Sequence, residues 1–344
     1  MKLGQATIKD IAKALNISSS TVSRALKDYP GISNETKEKV KALAKKLNYR
    51  PNAVALSLRK SKSSTIGVII PEVVHFFFST VISGIEEVAY ANGYNVILLQ
   101  TNENVTREIA AVDTIISNQI DGLLVSFSKE TSDFDHFKKL MDYHYPIVFF
   151  DRLPNLPDTV NVTVDDHTGA YKAVKHLIEQ GYTKIIHLAG PENLKISIDR
   201  KEGYLKALQE AGIPIREDWI IPCPKGTPEE SETICRALLS HPSDRPDAVF
   251  ASNDIAAAGA MQAAKAIGLK LPEEFGAVGF SDWQFSSMIA PPLSSVSQPG
   301  FKMGEKAAQL LLEMIDSENE EAFTARTEML ETGLVIRKSS LRKG

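Results

Sequence analysis

Five hydroxyl side chains and one arginine crowd into residues 18–26, SSSTVSRAL. At 100° per residue on a helix, Ser19, Ser20, Ser23 and Arg24 fall within an arc of about 140°, while the apolar side chains fall opposite. An arginine can bond guanine O6 and N7 together, and serine can bond either a base edge or a phosphate. This face therefore predicts hydrogen bonding to nucleic acid. For the serines, helix capping or phosphate contact is the alternative, and for Arg24 it is a contact to phosphate alone.

Helix-capping patterns before and after residues 18–26 predict the helices that position this polar face. Thr7 and Asp10 form a capping-box pattern before a helix with one apolar side, and Ser18 can cap a second short helix. Ser33 or Asn34 can cap a third helix, which should end near Asn48 because a proline follows at position 51. Two short helices joined by a tight turn predict a helix-turn-helix, whose second helix can enter the major groove.

The charge distribution agrees with a polyanionic partner for this part of the chain alone. Residues 1–62 carry 14 lysine and arginine residues and four acidic residues, a net charge of +10. The other residues carry a net charge of −14, so the overall charge of −4 conceals a basic head on an acidic body. A merely solvated basic surface is the alternative.

Beyond Thr65, short apolar runs alternate with helical patterns in two series, the second beginning at NVTVDD (161–166). This rhythm predicts parallel sheets with helices on both faces, and therefore two doubly wound lobes. Ligands bind such sheets at the carboxyl ends of the strands, so two facing lobes should enclose a binding cleft.

Residues 6–71, which include TVSRAL and YRPNAVALSL, resemble the DNA-binding head of lactose-repressor/galactose-repressor (LacI/GalR) regulators. The resemblance implies that residues 19, 20 and 24 read base edges. It also implies a hinge helix at 52–58, with Leu58 wedged into the minor groove; a core contact within the linker is the alternative for Leu58. The predicted DNA-binding residues are Thr7, Ser18, Ser19, Ser20, Thr21, Ser23, Arg24, Asn52, Ala55 and Leu58.

The same resemblance implies an α/β periplasmic-binding-protein-like body. It divides the chain into a helix-turn-helix domain (1–50), a hinge and linker (51–64) and an effector-binding, dimerising body (65–344). Chain crossings are expected near 161, 291 and 322. They assign 65–160 and 292–322 to the first lobe, and 161–291 and 323–344 to the second.

Strand ends and family positions supply the effector candidates. They are His75, Phe77, Phe78, Ser128, Asp151, Arg200, Asn253, Ser281, Asp282, Trp283 and Gln298. Arginine, aspartate, asparagine and glutamine suit a hydroxyl-rich ligand. The two phenylalanines could stack on a ligand ring or belong to the lobe core, and Trp283 could stack or simply pack. Where the family usually carries an effector-binding aspartate this chain has Ser281; either Asp282 replaces it or the effector differs.

Catalysis is not expected, because the chain contains no GxxxxGK[ST], GxSxG or HExxH motif and its seven histidines are scattered. Cys223 and Cys235 lack metal-ligand spacing, so we expect neither metal nor cofactor. With no secretory signal or long apolar run, we expect a cytoplasmic protein.

The prediction is a homodimeric repressor that binds a pseudo-palindromic double-stranded DNA operator and a carbohydrate effector. The rivals are a solute-binding transport protein and an α/β enzyme.

Overall fold

A computed structural model describes residues 6–49, 62–317 and 324–342. The chain separates into two compact units, and the boundary falls between Ser64 and Thr65. No helix within the described residues is both long and apolar enough to cross a membrane.

The first unit contains three helices, α1 (Ile8–Leu15), α2 (Ser19–Leu26) and α3 (Asn34–Lys46). Each begins at a predicted capping side chain: Thr7 with the reciprocal Asp10 bond, Ser18, and Ser33. Their apolar faces form one small core of Ile11, Ala12, Val22, Ala25, Val40 and Ala44. The helix-turn-helix prediction is therefore confirmed. The predicted hinge residues Asn52, Ala55 and Leu58 lie outside the described residues.

The second unit is built from alternating strands and helices, as the apolar runs predict. Its strands are β1 (Thr65–Ile70), β2 (Asn95–Gln100), β3 (Gly122–Val125), β4 (Ile147–Phe150), β5 (Val160–Val164), β6 (Ile185–Ala189), β7 (Ile220–Pro222), β8 (Ala248–Ala251), β9 (Gly276–Ser281), β10 (Ser294–Ser297), β11 (Arg326–Leu330) and β12 (Gly333–Val335). Its helices are α4 (Phe76–Ala91), α5 (Val105–Ser117), α6 (Asp135–Asp142), α7 (Asp166–Glu179), α8 (Lys195–Glu210), α9 (Pro228–Leu239), α10 (Asp254–Ala266) and α11 (Gly300–Asp316).

The strands form two six-stranded sheets, one in each lobe. Their orders are β11-β5-β4-β3-β1-β2 and β12-β10-β9-β8-β6-β7, with every pair parallel except β10 and β12. Both sheets are covered on both faces: α4 and α11 oppose α5 and α6 in the first lobe, and α9 and α10 oppose α7 and α8 in the second.

The predicted lobe boundaries are wrong by several residues. Val160–Val164 pairs with β4 in the first sheet, so the first crossing follows residue 164 rather than 161. Ser294–Ser297 pairs with β9, which moves the second crossing to 298–299. Arg326–Leu330 pairs with β5 and belongs to the first lobe, so the last crossing is at 331–332. Apolar runs reveal that strands exist, whereas backbone pairing decides which sheet receives them.

Helices α4 and α11 approach each other so closely that glycine is needed on both. A Cβ at Gly84 would lie 2.1 Å from the Phe301 carbonyl oxygen, and one at Gly304 would lie 2.0 Å from the Val81 carbonyl oxygen. These atoms are backbone and cannot move aside as a side-chain end would.

We expect Gly304→Ala to lower the free energy of unfolding by about 2 kcal/mol, because the added methyl group forces the two helices apart. Urea unfolding followed by circular dichroism measures the loss. Ser83→Ala, on the exposed face of α4, is the control and should change stability by less than about 0.5 kcal/mol. Equal stability of Gly304→Ala and wild type would show that the contact can relax.

Candidate functional site

The face of α2 that carries the hydroxyls is exposed at two of its four predicted positions, and Ser19 and Ser23 are half-buried. Ser20 and Arg24 are exposed, while Val22 and Ala25 are buried against the other helices. The Ser18 hydroxyl lies 2.7 Å from that of Ser20, so part of the hydroxyl set is engaged within the helix start.

Arg24 is free of ion pairs within the described residues, and its guanidinium carbon lies 5.7 Å from the centre of the Tyr29 ring. This cation–π contact steadies a long side chain without using its hydrogen-bond donors. Arg24 therefore presents its full set of donors to a partner.

A cavity of about 660 Å³ lies between the two lobes, at the carboxyl ends of both sets of strands. It is lined by nine of the eleven predicted effector residues: His75, Phe77, Phe78, Asp151, Arg200, Asn253, Ser281, Trp283 and Gln298. Ser128 and Asp282 do not line it. The volume suits a ligand of monosaccharide to disaccharide size.

Arg200 is held from three sides on the wall of the second lobe. Its Nε donates to Asp166 Oδ1 at 2.7 Å, and its Nη1 donates to the Ser252 carbonyl oxygen at 2.6 Å. The guanidinium carbon also lies 3.7 Å above the Phe280 ring. Burial raises the pKa of Asp166 to about 6, against the opposing influence of Arg200. A fixed arginine with donors to spare is well placed to hold a ligand oxygen.

Ser281 and Gln298 form a neutral corner of the cavity. The Ser281 hydroxyl donates to Gln298 Oε1 at 2.7 Å. Gln298 Nε2 is buried and has no hydrogen-bond partner among the described residues. Of the two alternatives for the missing family aspartate, replacement by Asp282 is not supported by its position: its carboxylate accepts from Arg337 Nη1 at 2.6 Å, outside the cavity. At φ 51° for residue 282, the chain turns its side chain to that arginine.

Ser128 is also placed away from the cavity. Its hydroxyl lies 2.7 Å from that of Thr101, and its backbone N–H donates to Glu108 Oε2 at 2.6 Å. Both Ser128 and Glu108 are fully buried. Ser128 therefore fixes the loop after β3 instead of facing a ligand.

Aromatic side chains from both lobes meet at one end of the cavity. Phe77 and Phe78 are almost fully buried and belong to the first lobe's core, as one of the two alternatives predicts, and both also line the cavity. Stacking on a ligand ring stays a prediction. The His75 ring stands edge-on to Trp283 of the second lobe, with 5.0 Å between ring centres. Burial lowers the pKa of His75, although Glu72, 3.0 Å away, opposes the shift.

An ion pair absent from the predicted set, Arg152 with Glu103, completes the walls together with the predicted Asp151. Arg152 donates to both carboxylate oxygens of Glu103, at 2.7 and 2.8 Å. Burial favours protonation of Glu103, but Arg152 outweighs it and lowers the pKa of that carboxyl. Asp151 is 6 % exposed, and its burial raises its pKa against the attraction of Arg152 and Arg200.

Two residues at the start of α10 shape the second-lobe wall. Asn253 caps this helix, with its Oδ1 accepting from the Ala256 N–H at 2.8 Å, and its amide nitrogen faces Gly226. The next residue, Asp254, is fully buried and accepts from the Trp283 N–H at 2.6 Å and from the Ser295 hydroxyl. Asp254 thus positions the loop that carries Ser281 and Trp283.

Asp254 should make stability fall as pH rises. Burial raises the pKa of its carboxyl from the ordinary 3.8 to about 7, so the folded protein keeps a proton that the unfolded chain releases. Between those two values the free energy of unfolding decreases with increasing pH. Urea unfolding is measured at intervals from pH 5 to pH 8. Across this range the free energy of unfolding of Asp254→Asn should rise by about 2 kcal/mol relative to that of wild type. Parallel curves for the two proteins would contradict this assignment.

Comparison with known proteins matches both units of the chain. Residues 7–52 match the family described as bacterial regulatory proteins, lacI family. Residues 63–331 match the family described as periplasmic binding proteins and sugar binding domain of LacI family.

Individual relatives cover nearly the whole chain. The HTH-type transcriptional repressor PurR of Mannheimia succiniciproducens is 34 % identical over 97 % of this chain and 98 % of its own. The ribose operon repressor of Halalkalibacterium halodurans is also 34 % identical, over 97 % of each chain. Among solved structures, the complex of the transcriptional regulator CelR with cellobiose is 26 % identical, with a TM-score of 0.73 over 97 % of this chain and 99 % of that one.

Proposed function

The chain belongs to the LacI family of bacterial regulatory proteins, and we propose that it is a transcriptional repressor whose DNA affinity is set by a sugar or sugar derivative. The observation that carries the effector half of this proposal is the 660 Å³ cavity, walled by Arg200, Asp151 and Asn253. The protein is a regulatory DNA-binding protein rather than an enzyme, and its place of action is the cytoplasm, where the DNA is.

In the DNA complex, α2 enters the major groove and Arg24 bonds a guanine through O6 and N7. Ser19, Ser20 and Ser23 contact nearby base edges or phosphates. Thr7, Ser18 and Thr21 lie at helix starts and fix the register through phosphates. Asn52, Ala55 and Leu58 act at the minor groove, a role that rests on the family resemblance.

Two copies of the chain bind two half-sites of a pseudo-palindrome, matching the dimer axis to the operator axis. The body supplies the dimer contacts. Its edge strand β2 exposes Ile97 and Leu98, and Met288 of the second lobe is 71 % exposed. Apolar groups on a sheet edge favour a covering partner.

Effector binding changes how the two lobes sit around the cavity, and thereby the relative positions of the two hinge segments in the dimer. The coupling free energy of such systems is about 1–3 kcal/mol and is reciprocal, so operator DNA changes effector affinity by the same factor. A solute-binding transport protein would share the cleft but would have no use for a basic helix-turn-helix.

The decisive experiment measures DNA binding by the full-length protein. A pseudo-palindromic site is selected from a randomised duplex library, and its affinity is measured at 50–300 mM NaCl. We expect the logarithm of the association constant to fall with that of the salt concentration with a slope of several units, since each neutralised phosphate contributes about −0.9. Failure to enrich any sequence, or a flat salt dependence, would argue for the transport-protein alternative.

A further inference from the structure

Both arginines that line the cavity already have a partner of opposite charge. Arg152 is paired with Glu103, and Arg200 with Asp166. Asp151 lies within electrostatic reach of both arginines. Each of the two ion pairs is neutral. Asp151 and Glu72 are the other acidic groups of the lining: burial raises the pKa of Asp151, which favours its neutral form, and Glu72 lies 3.0 Å from the His75 ring.

The other basic side chains of the lining, apart from His75, are two lysines. Lys129, after β3 in the first lobe, and Lys225, after β7 in the second, both line the cavity and form no ion pair with any described residue. The Lys129 ammonium lies 3.5 Å from the carbonyl oxygen of Pro224, the residue that precedes Lys225. The two side chains therefore start from facing loops on the same margin of the cavity, one on each lobe.

The backbone of Lys129 is fixed although its ammonium is not. Its N–H donates to Glu103 Oε2 at 2.7 Å, and its carbonyl accepts from Asn193 Nδ2 of the second lobe at 2.7 Å. Within the described residues the ammonium makes one long hydrogen bond, to a neutral carbonyl, and the Glu103 carboxylate attracts it without forming an ion pair. A charged ligand oxygen would be a much stronger acceptor for it.

The remaining polarity of the cavity also favours an electron-rich ligand. Helices α4 and α8 begin at the cavity with no side-chain cap, at His75 and Leu194, so their positive ends face it. Gln298 Nε2 is a buried donor without an acceptor among the described residues, and its neighbour Ser281 brings no negative charge where the family usually has an aspartate. An unmade bond of this kind is costly unless a ligand oxygen completes it.

We propose that the ligand of this cleft is anionic, a sugar carrying a carboxylate or a phosphate, and that Lys129 and Lys225 hold its charged group between the lobes. This inference rests on the proposed function, because it specifies the chemical class of the same effector. Binding the anion joins a lysine of one lobe to a lysine of the other, so the charged group itself ties the cleft closed.

The test compares matched neutral and charged sugars by isothermal titration calorimetry on the full-length protein. The probes are D-glucose with D-glucuronate and D-glucose 6-phosphate, D-galactose with D-galacturonate, and D-ribose with D-ribose 5-phosphate. We expect a charged member of one series to bind at least about tenfold more tightly than its neutral parent, and its Kd to rise with NaCl. The carboxylate and phosphate arms distinguish the two sources of charge.

Lysine variants locate the charged group. Lys129→Met and Lys225→Met should each raise the Kd of the charged sugar about tenfold and leave the Kd of its neutral parent unchanged. Lys172→Met, on the exposed surface of α7, should leave both unchanged. The anionic assignment is wrong if the charged sugars bind no more tightly than the neutral ones, or if their affinity is the same in both lysine variants as in wild type. Either result leaves the proposed function standing. Absence of binding by every probe overturns the anionic assignment and the effector half of the proposed function together.

Discussion

Arg200→Ala should abolish the thermal stabilisation that an effector gives to this protein. Arg200 is 7 % exposed and fixed by Asp166, Ser252 and Phe280, so no neighbouring side chain can replace its donors. A ligand that binds only the native state raises stability by RT ln(1 + [L]/Kd), and loss of affinity removes that increment. The measurement is the change in Tm with the sugar of highest affinity, at a concentration about 100 times its wild-type Kd.

Removing Arg200 alone also leaves the buried Asp166 carboxyl unpaired, which should cost about 3 kcal/mol of stability. The double variant Asp166→Asn/Arg200→Met removes both charges and separates this loss from the loss of binding. It should recover much of the stability and still show no effector-dependent shift. A normal shift in the double variant would mean that the ligand does not contact Arg200.

Arg24→Ala should remove most of the sequence discrimination between operator and random DNA. The bidentate contact to guanine contributes about 1–3 kcal/mol per half-site, and a dimer loses it twice. Specific affinity should therefore fall at least about thirtyfold, with a much smaller change in non-specific affinity. Competition binding with the selected operator and a scrambled duplex measures both quantities.

Lys13→Ala, at an exposed position in the last turn of α1, is the matched control. Loss of a phosphate-directed charge weakens binding to all sequences alike and makes the salt dependence shallower. If Arg24→Ala instead lowers the affinity for operator and scrambled DNA by the same factor, Arg24 contacts phosphate and another side chain reads the base.

The three helices of the helix-turn-helix domain could be predicted because their signals are local in the sequence. The side chains of Thr7, Ser18 and Ser33 each accept a hydrogen bond from the backbone N–H three residues later. A few neighbouring residues are therefore enough to indicate where each helix begins. The strands of the body were also visible as apolar runs. Their assignment to lobes was not: Val160–Val164 is buried at every position, and the same run would suit either sheet.

Distance along the chain explains what the sequence did not reveal about the cavity. Glu103 and Arg152 are 49 residues apart, and Asp166 and Arg200 are 34 apart, so neither pair produces a periodic pattern. An acidic residue close behind an apolar strand, as Asp166 is two residues after the end of β5, was the one available signal. Ser128 and Asp282 follow strands too, but their alternative partners, Thr101 and Arg337, lie 27 and 55 residues away.

The edge-on contact between His75 and Trp283 gives the protein an optical reporter of its own. The chain has two tryptophans; Trp219 is buried in the second lobe's core, whereas Trp283 sits half-buried at the cavity with a ring from the opposite lobe beside it. Separating the lobes removes that neighbour and admits water to the indole, which shifts its emission to longer wavelength. Closure of the cleft can therefore be followed in real time from intrinsic fluorescence, without a label, while Trp219 supplies a constant background.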